Sequence, residues 1–168
     1  MNIKLRPWAS ADLNSLVLHA NNPAIAANMT DGFPHPYTTA AAEKFIEMAM
    51  SHRPVRLFAI EVDGEAVGGI GIHPQTDIMR MNAELGYWLS AAYWGKGIAT
   101  YAVKEMVKYS FDTFEFDRIF ARPFPQNIAS QKVLENAGFV LEARIKSAII
   151  KNNTRMDELI YAIRKENK

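Results

Sequence analysis

Cysteine is absent from all 168 residues of the sequence. A disulfide, a thiol nucleophile and a zinc–thiolate site are therefore excluded. Only four histidines occur, and no two of them show the HxxxH or HExxH spacing of a helical metal site. We therefore expect no metal cofactor. The lack of cysteine is also typical of a cytoplasmic protein, and we expect this location.

Charge of one sign is not in excess, because 19 Lys and Arg residues face 18 Asp and Glu residues and the formal net charge is +1. A nucleic-acid-binding protein usually has a basic patch or stripe, whereas the basic residues here are scattered. No apolar run approaches the roughly 20 residues of a membrane-spanning helix. The first residues, MNIKLRPW, lack the apolar segment of a signal peptide. We expect neither a nucleic-acid partner nor a membrane partner.

Apolar residues make up 49% of the chain, which is enough for a buried core, and the length suits one domain over residues 1–168. Asp63-Gly64 between two apolar runs predicts a β-hairpin, and Gly138 predicts a helix end. Together the patterns predict an α+β fold with a mostly antiparallel sheet and one embedded strand–helix–strand unit. The predicted elements are, in order, a strand at NIKLRPW, a helix to about Ala20, a short helix at NPAIAANM, a helix at TAAAEKFIEMAM, two strands in VRLFAIEVDGEAVGGIGIHP, a strand at RMNAELGYWLS, a helix to about Phe114, a strand at RIFARPF, a helix at NIASQKVLENAG, and strands at FVLEARIKSAII and TRMDELIYAIR.

A glycine-rich turn, YWGKGIAT at residues 93–100, joins a predicted strand to the long predicted helix. The pattern GxxxxGK[ST] fails because Lys96 lies between the two glycines, and GxGxxG fails because Thr100 replaces the third glycine. Two interpretations stay open. The glycines either shape a tight turn or let a pyrophosphate approach the free N–H groups of the helix start. The N–H groups concerned are those of Gly95, Lys96, Gly97, Ile98, Ala99 and Thr100.

A second polar helix start follows the next predicted strand, where Asn127 and Ser130 stand three residues apart in NIASQKVLENAGF. Asn127 is a favourable N-cap and Ser130 a first-turn residue, so both have an ordinary structural role. Two such helix starts after neighbouring strands nevertheless favour a binding function for the glycine turn.

The segments YWGKGIAT and NIASQKVLENAGF resemble the GNAT superfamily of N-acetyltransferases, and within it the RimJ/RimL-type branch. The resemblance covers nearly the whole chain and includes the LRPW opening, the FPHPYT loop and the AELGYWLS strand, in the family's order. It implies a three-layer fold with a mixed, mostly antiparallel central sheet flanked by helices. It also implies acetyl-CoA as co-substrate and transfer of its acetyl group to a primary amine in a ternary complex.

The resemblance implies a cofactor site as well. The family pattern Q/R-x-x-G-x-G/A is matched at Gly97 and Ala99, while Trp94 stands where Gln or Arg is usual. The amides of residues 95–100 would bind the CoA pyrophosphate, and the backbone near Leu89 would pair with the pantetheine arm. Asn127 would hydrogen-bond that arm, with Ser130 near the thioester sulfur. Three surface lysines are candidates for the ribose phosphate: Lys104, Lys108 and Lys132.

Candidate catalytic residues are fewer. Glu84, in the strand next to the expected cleft, is the predicted general base, acting through a water molecule; its alternative is a structural ion pair with a Lys or Arg. Ser130 is a candidate acid for the CoA thiolate, and its alternative is an ordinary structural role at the helix start. Some family members use a tyrosine as this acid, and SQKVLENAGF contains none. In the FPHPYT loop, Phe33, His35 and Tyr37 are candidates for contact with the amine, although such a loop more often only turns the chain.

Two other functions stay open beside the predicted N-acetyltransferase. A non-catalytic module that binds or senses acyl-CoA would keep the glycine turn and Asn127 without needing Glu84. A nucleotide-binding domain would use the same turn for NAD or ATP, which the missing pattern residues disfavour. The acceptor is either a protein N-terminus or a small-molecule amine, and the protein is expected to be a monomer or a homodimer.

Overall fold

The computed structural model describes residues 1–166. Within this range the chain forms seven strands, five α-helices and three short 3-10 turns, at Ser10–Asp12, Asp77–Met79 and Ala91–Tyr93. The strands are β1 (Ile3–Pro7), β2 (Leu57–Val62), β3 (Glu65–Pro74), β4 (Asn82–Leu89), β5 (Arg118–Ala121), β6 (Val140–Lys151) and β7 (Thr154–Arg164). The helices are α1 (Leu13–Ala20), α2 (Pro23–Ala26), α3 (Thr39–Ser51), α4 (Ile98–Thr113) and α5 (Ile128–Asn136).

The strands form one sheet in the order β1-β2-β3-β4-β5-β7-β6. The pairs β1–β2, β2–β3, β5–β7 and β6–β7 are antiparallel, while β4 and β5 are parallel. Helix α4 connects the two parallel strands, so β4, α4 and β5 are the predicted strand–helix–strand unit. The predicted α+β class and the mostly antiparallel sheet are confirmed.

Contacts within the chain divide it into two compact units, residues 1–71 with 87–102, and residues 72–86 with 103 onward. In the first unit α3 begins after Thr38, whose hydroxyl accepts from the Ala41 N–H at 3.1 Å. The hairpin of β2 and β3 turns at Asp63 and Gly64, which have φ of 49° and 96°. The buried core of the first unit includes Trp8, Leu16, Tyr37, Ile46, Ala59 and Trp88.

The second unit contains α5, β5 and the long β6–β7 hairpin. That hairpin turns through Asn152 and Asn153, with φ of 49° and 60°, which is the left-handed geometry of a two-residue turn that matches strand twist. Helix α5 ends before Gly138, whose φ of 97° permits the helix stop predicted there. The buried residues of the second unit include Met106, Ile119, Leu134, Phe139 and Leu159.

Two local predictions need correction. The sequence pattern predicts Ser10 or Asp12 as the cap of the helix that ends near Ala20. Asp12 precedes α1 but does not cap it with its side chain, because both carboxylate oxygens accept hydrogen bonds from Arg6 at 2.7 and 2.8 Å. The sequence pattern also predicts an apolar stripe of Ala99, Ala102, Val103 and Met106 on the long helix. Ala99 is only half-buried, and Ile98 is buried in its place. Among residues 1–166, no helix is both long and apolar enough to cross a bilayer. The single domain predicted for residues 1–168 stays a prediction.

Candidate active site

The glycine turn lies in the first unit, between the 3-10 turn Ala91–Tyr93 and the start of α4. Gly95 and Gly97 have φ of +73° and +78°, a backbone conformation that other residues adopt only with strain. A Cβ built on either glycine would meet no atom within 4 Å. The turn therefore requires glycine for its backbone shape, and the space beside both residues is also open to an anion.

Helix α4 begins directly after this turn. The Tyr101 N–H donates to the Gly97 carbonyl at 3.1 Å, which closes the first helical turn. The N–H groups of Ile98, Ala99 and Thr100 precede this bond, so they have no intrahelical acceptor. No acidic residue occupies the first turn of α4, although a carboxylate is favourable at that position. The helix start thus offers donors and partial positive charge to an anionic ligand.

Lys96, between the two glycines, is held back over the preceding turn. Its ammonium donates to the Ala92 carbonyl at 2.9 Å and lies 5.1 Å from the centre of the Tyr93 ring. Trp94 is 49% exposed, and its indole Nε1 donates to the Leu89 carbonyl at 2.8 Å. The carbonyl of Leu89 is therefore already hydrogen-bonded. The pairing of the backbone near Leu89 with a pantetheine arm stays a prediction.

The FPHPYT loop contributes to the core of the first unit. Tyr37 is 5% exposed, packs 5.3 Å from the Phe33 ring centre, and donates its backbone N–H to the Asn21 side chain at 3.0 Å. Burial raises the pKa of the Tyr37 hydroxyl to about 12, so it stays protonated at neutral pH. Phe33 also contacts Trp88 edge-on, whereas His35 is exposed. Their contact with an acceptor amine stays a prediction.

Glu84 lies in the second unit, on β4, and both its oxygens accept from Arg122 at 2.9 Å. Arg122 also donates to Glu158 at 3.0 Å. The hydrogen bonds to Glu84 outweigh partial burial and raise the pKa of Arg122. The structure thus shows the ion pair that was the structural alternative for Glu84. Its role as general base stays a prediction.

Asn127 and Ser130 begin α5 in the same unit. The Asn127 Oδ1 accepts from the Ser130 N–H at 3.2 Å, so Asn127 is the N-cap of this helix. Both residues are half-buried. The structural role predicted for them is confirmed, and their contact with CoA stays a prediction. Lys108 forms an ion pair with Asp112 at 2.9 Å, and Lys132 lies 3.7 Å from Glu135; Lys104 is exposed.

The structure also brings together three polar side chains that sequence reasoning missed. The His19 ring on α1 lies between Ser90, with Nδ1 3.0 Å from its Oγ, and Glu65, with Nε2 2.8 Å from its Oε1. All three belong to the first unit. Because 71 and 46 residues separate His19 from Ser90 and Glu65, no local sequence pattern could have indicated this arrangement.

A mixed sheet with a glycine turn before a long helix is the arrangement that the resemblance to N-acetyltransferases implied. The family model of the acetyltransferase (GNAT) domain matches residues 2–140. The chain therefore belongs to the GNAT acetyltransferase family, and the predicted family is confirmed.

Curated relatives and a solved structure agree with this family. A ribosomal-protein-serine acetyltransferase of Escherichia coli is 28% identical over 107 residues, which cover 64% of this chain and 59% of that protein. Spermidine N(1)-acetyltransferase of the same organism is 27% identical over 150 residues, covering 86% and 76%. The structure of Mycobacterium smegmatis RimJ in complex with CoA-disulfide has a TM-score of 0.81 and 28% identity, covering 96% and 81%.

Several curated relatives match this chain over only part of their length. The matched segments span only 55–56% of the length of three further curated relatives, which are 31–34% identical. The chain thus corresponds to little more than half of those proteins. The family and the fold follow from the comparisons, while the activity and the substrates of this chain are proposals.

Proposed function

We propose that this protein transfers the acetyl group of acetyl-CoA to a primary amine by direct attack of the amine in a ternary complex. The observation that carries the proposal is the turn at Gly95 and Gly97, which directly precedes α4. Both glycines have a left-handed backbone conformation, the space beside them is open, and the first turn of α4 contains no acidic residue. These features fit a pyrophosphate, in a chain that belongs to an acetyltransferase family.

In this function the helix start binds the co-substrate. The N–H groups of Ile98, Ala99 and Thr100 donate to the pyrophosphate oxygens, and the dipole of the 16-residue helix α4 adds partial positive charge. Acetyl-CoA supplies an activated thioester, which an unprotonated amine attacks without a covalent enzyme intermediate. The protein then has to hold the two reactants in line, which contributes about 7–11 kcal/mol in well-oriented reactions.

Residues of the second unit are proposed for the rest of the co-substrate. Asn127 would hydrogen-bond the pantetheine arm, and Ser130 would lie near the thioester sulfur. Asn127 caps α5 with its Oδ1, so its Nδ2 is the group that would donate to a pantetheine carbonyl. The capping bond would fix the orientation of that amide.

The acceptor is proposed to be a protein N-terminus or a small-molecule amine. The relatives act on both chemical types, since one is named for ribosomal-protein serine and the other for spermidine. Oligomeric state, as monomer or homodimer, and the cytoplasmic location stay predictions.

The test uses charge at the helix start. Glutamate at Thr100, the third helical position, is favourable for the helix itself but repels a pyrophosphate bound to the same amides. Calorimetric titration with acetyl-CoA should show binding by the parent, binding within about threefold by Thr100→Gln, and at least about tenfold weaker binding by Thr100→Glu. Equal affinity of the two variants would place the pyrophosphate elsewhere, and no binding by the parent would overturn the function.

Turnover distinguishes the proposed enzyme from the alternative, a non-catalytic module that binds or senses acyl-CoA. Release of CoA from acetyl-CoA on addition of an amine shows an enzyme, while binding without release favours an acyl-CoA-binding module. Because the chain has no cysteine, a thiol reagent reports only the CoA that is released.

A further inference from the structure

The three side chains Ser90, His19 and Glu65 form a line that runs from the protein interior to solvent. Ser90 is 6% exposed, the His19 side chain 12% and the Glu65 side chain 45%. The two hydrogen bonds of the line, 3.0 Å at Nδ1 and 2.8 Å at Nε2, use both nitrogens of the imidazole. A base held between a hydroxyl and an orienting carboxylate is the arrangement with which enzymes move a proton.

The partners fix where the imidazole protons lie. A carboxylate only accepts hydrogen bonds, so Nε2 of His19 carries the hydrogen that is donated to Glu65. In the neutral ring Nδ1 then has a free lone pair, which accepts the Ser90 O–H. The histidine is thus oriented to take a proton from the Ser90 side while Glu65 stabilises the resulting imidazolium.

Among the described residues, the titratable groups facing the ring are Glu65 on β3 and Tyr93, whose ring packs edge-on at 6.1 Å. Lys96 lies on the Tyr93 ring at 5.1 Å. On α1 itself, His19 is the basic residue of the last turn, and the first turn contains no acidic residue. Glu65 is therefore the charged group that hydrogen-bonds the imidazole.

Ser90 also has a fixed place relative to the glycine turn. It directly follows β4, its N–H donates to Val67 O at 2.8 Å, and its carbonyl accepts from the Tyr93 N–H at 2.9 Å. Five residues separate it from Gly95. The hydroxyl is thus held at the end of the strand that leads into the proposed co-substrate site.

We propose that Ser90, His19 and Glu65 form a proton relay that removes the proton lost by the acceptor amine during acetyl transfer, an inference that rests on the proposed function. An N–H bond of the amine breaks as its proton moves to Ser90 Oγ, while the Ser90 hydroxyl proton moves to His19 Nδ1. His19 holds this proton as an imidazolium, with its Nε2–H still donated to Glu65, and releases the added proton to water after transfer, which restores the starting tautomer. The nitrogen lone pair attacks the thioester carbon and the CoA thiolate leaves, so no oxidant or reductant is required.

This relay gives the reaction a base that is not engaged in an ion pair with arginine. Both oxygens of Glu84, the base predicted from the sequence, accept from Arg122. Nδ1 of His19, in contrast, lies 3.0 Å from the Ser90 hydroxyl. In the proposed relay Ser90 would contact the amine, and His19 and Glu65 would act through it.

The experiment compares His19→Asn with the parent, because the Asn amide keeps a hydrogen-bonding group near the Nδ1 position but does not titrate. Glu65→Gln keeps an acceptor for Nε2–H without the charge, and Ser90→Ala removes the inner hydroxyl. The matched control is His52→Asn, at the end of α3. CoA release is measured with a thiol reagent against pH, using spermidine and a peptide with a free N-terminal serine as acceptors.

The relay predicts that kcat falls about 100-fold in His19→Asn and Ser90→Ala, in line with general-base catalysis, while the calorimetric affinity for acetyl-CoA changes less than about threefold. Protonation of the acceptor amine lowers the rate toward acid pH in every variant, so each rate is compared as a ratio to the parent at the same pH. This ratio should change with pH in His19→Asn and stay constant in Glu84→Gln and in the control. A purely structural role would change the affinity or the melting temperature and leave this ratio constant with pH.

Three results would overturn the relay. The first is a folded His19→Asn variant with kcat within twofold of the parent. The second needs no acceptor: nitrogen-15 spectra that place the hydrogen of the neutral His19 ring on Nδ1. The third is acetyl-CoA binding with no release of CoA in the presence of either amine, which would also favour the non-catalytic acyl-CoA-binding module. No acetyl-CoA binding at all would reject the proposed function itself, so the two failures are distinguishable.

Discussion

The indole Nε1 of Trp94 donates a 2.8 Å hydrogen bond to the carbonyl oxygen of Leu89, five residues earlier. This bond closes the segment that connects β4 to the glycine turn. Trp94 stands where the family usually has Gln or Arg, and its polar group is used within the protein. The shape of the turn is therefore fixed by a side chain of this sequence as well as by its two glycines.

Trp94→Phe tests this arrangement, because the ring remains and the donor is lost. We expect acetyl-CoA affinity to fall by about 2–10-fold, which corresponds to the roughly 0.5–1.5 kcal/mol of one hydrogen bond that preorganises the turn. Calorimetric titration of the parent and of Trp94→Phe measures this change in affinity. Tyr101→Phe is a control for loss of a polar aromatic group on an exposed part of α4. Unchanged affinity in Trp94→Phe would show that the bond does not shape the binding site.

Gly97→Ala and Gly97→Asn separate backbone strain from crowding. Since a Cβ at Gly97 meets nothing within 4 Å and φ is +78°, the cost of alanine is conformational, about 1–2 kcal/mol. Asparagine tolerates the left-handed region better, so Gly97→Asn should lose less free energy of unfolding than Gly97→Ala. Denaturant unfolding of the three proteins measures both values. The reverse order would contradict the left-handed turn.

The Glu84–Arg122 pair should contribute little to stability. The two side chains are 26% and 44% exposed, and ion pairs of this kind contribute about 0–1 kcal/mol. A double-mutant cycle with Glu84→Gln and Arg122→Gln should give a coupling energy of about 0.5–1 kcal/mol in the free energy of unfolding. A coupling above about 2 kcal/mol would mean that the pair is a main support of its unit.

Glu61 links the acid stability of the protein to the ion pairs of β1. Hydrogen bonds from Arg6, and then from Lys4, hold the pKa of Glu61 below its ordinary value of 4.5. Because its folded-state pKa is the lower one, its contribution is complete above pH 4.5 and is lost as the pH falls through the folded value. Glu61→Gln should therefore be less stable than the parent at pH 7, by about 1–3 kcal/mol.

Thermal melting between pH 7 and pH 3 measures this difference. The gap in melting temperature between the parent and Glu61→Gln should narrow below pH 4.5, the ordinary pKa of the group. The matched control is Glu47→Gln, an exposed glutamate of α3 that forms no ion pair within residues 1–166. It should melt like the parent at every pH. A constant gap for Glu61→Gln would contradict the lowered pKa.

Much of the fold was predictable because its signals are local. Asp63-Gly64 specifies a turn and Gly138 a helix end, each through its own backbone φ. The glycine turn was found in the same way. Asp12 shows the limit of such signals, because its carboxylate is a favourable cap that instead binds Arg6 of β1, a partner set by the fold.

The sequence by itself determined the family, the order of the elements and the glycine turn, because each follows from residues that are close together in the chain. Only the tertiary structure decided which side chains share a hydrogen bond across distant elements. It paired Glu84 with Arg122 and placed His19 between Ser90 and Glu65. The physical reason is that a hydrogen bond needs atoms about 3 Å apart, and over separations of 38, 71 and 46 residues only the packing of strands and helices sets that distance.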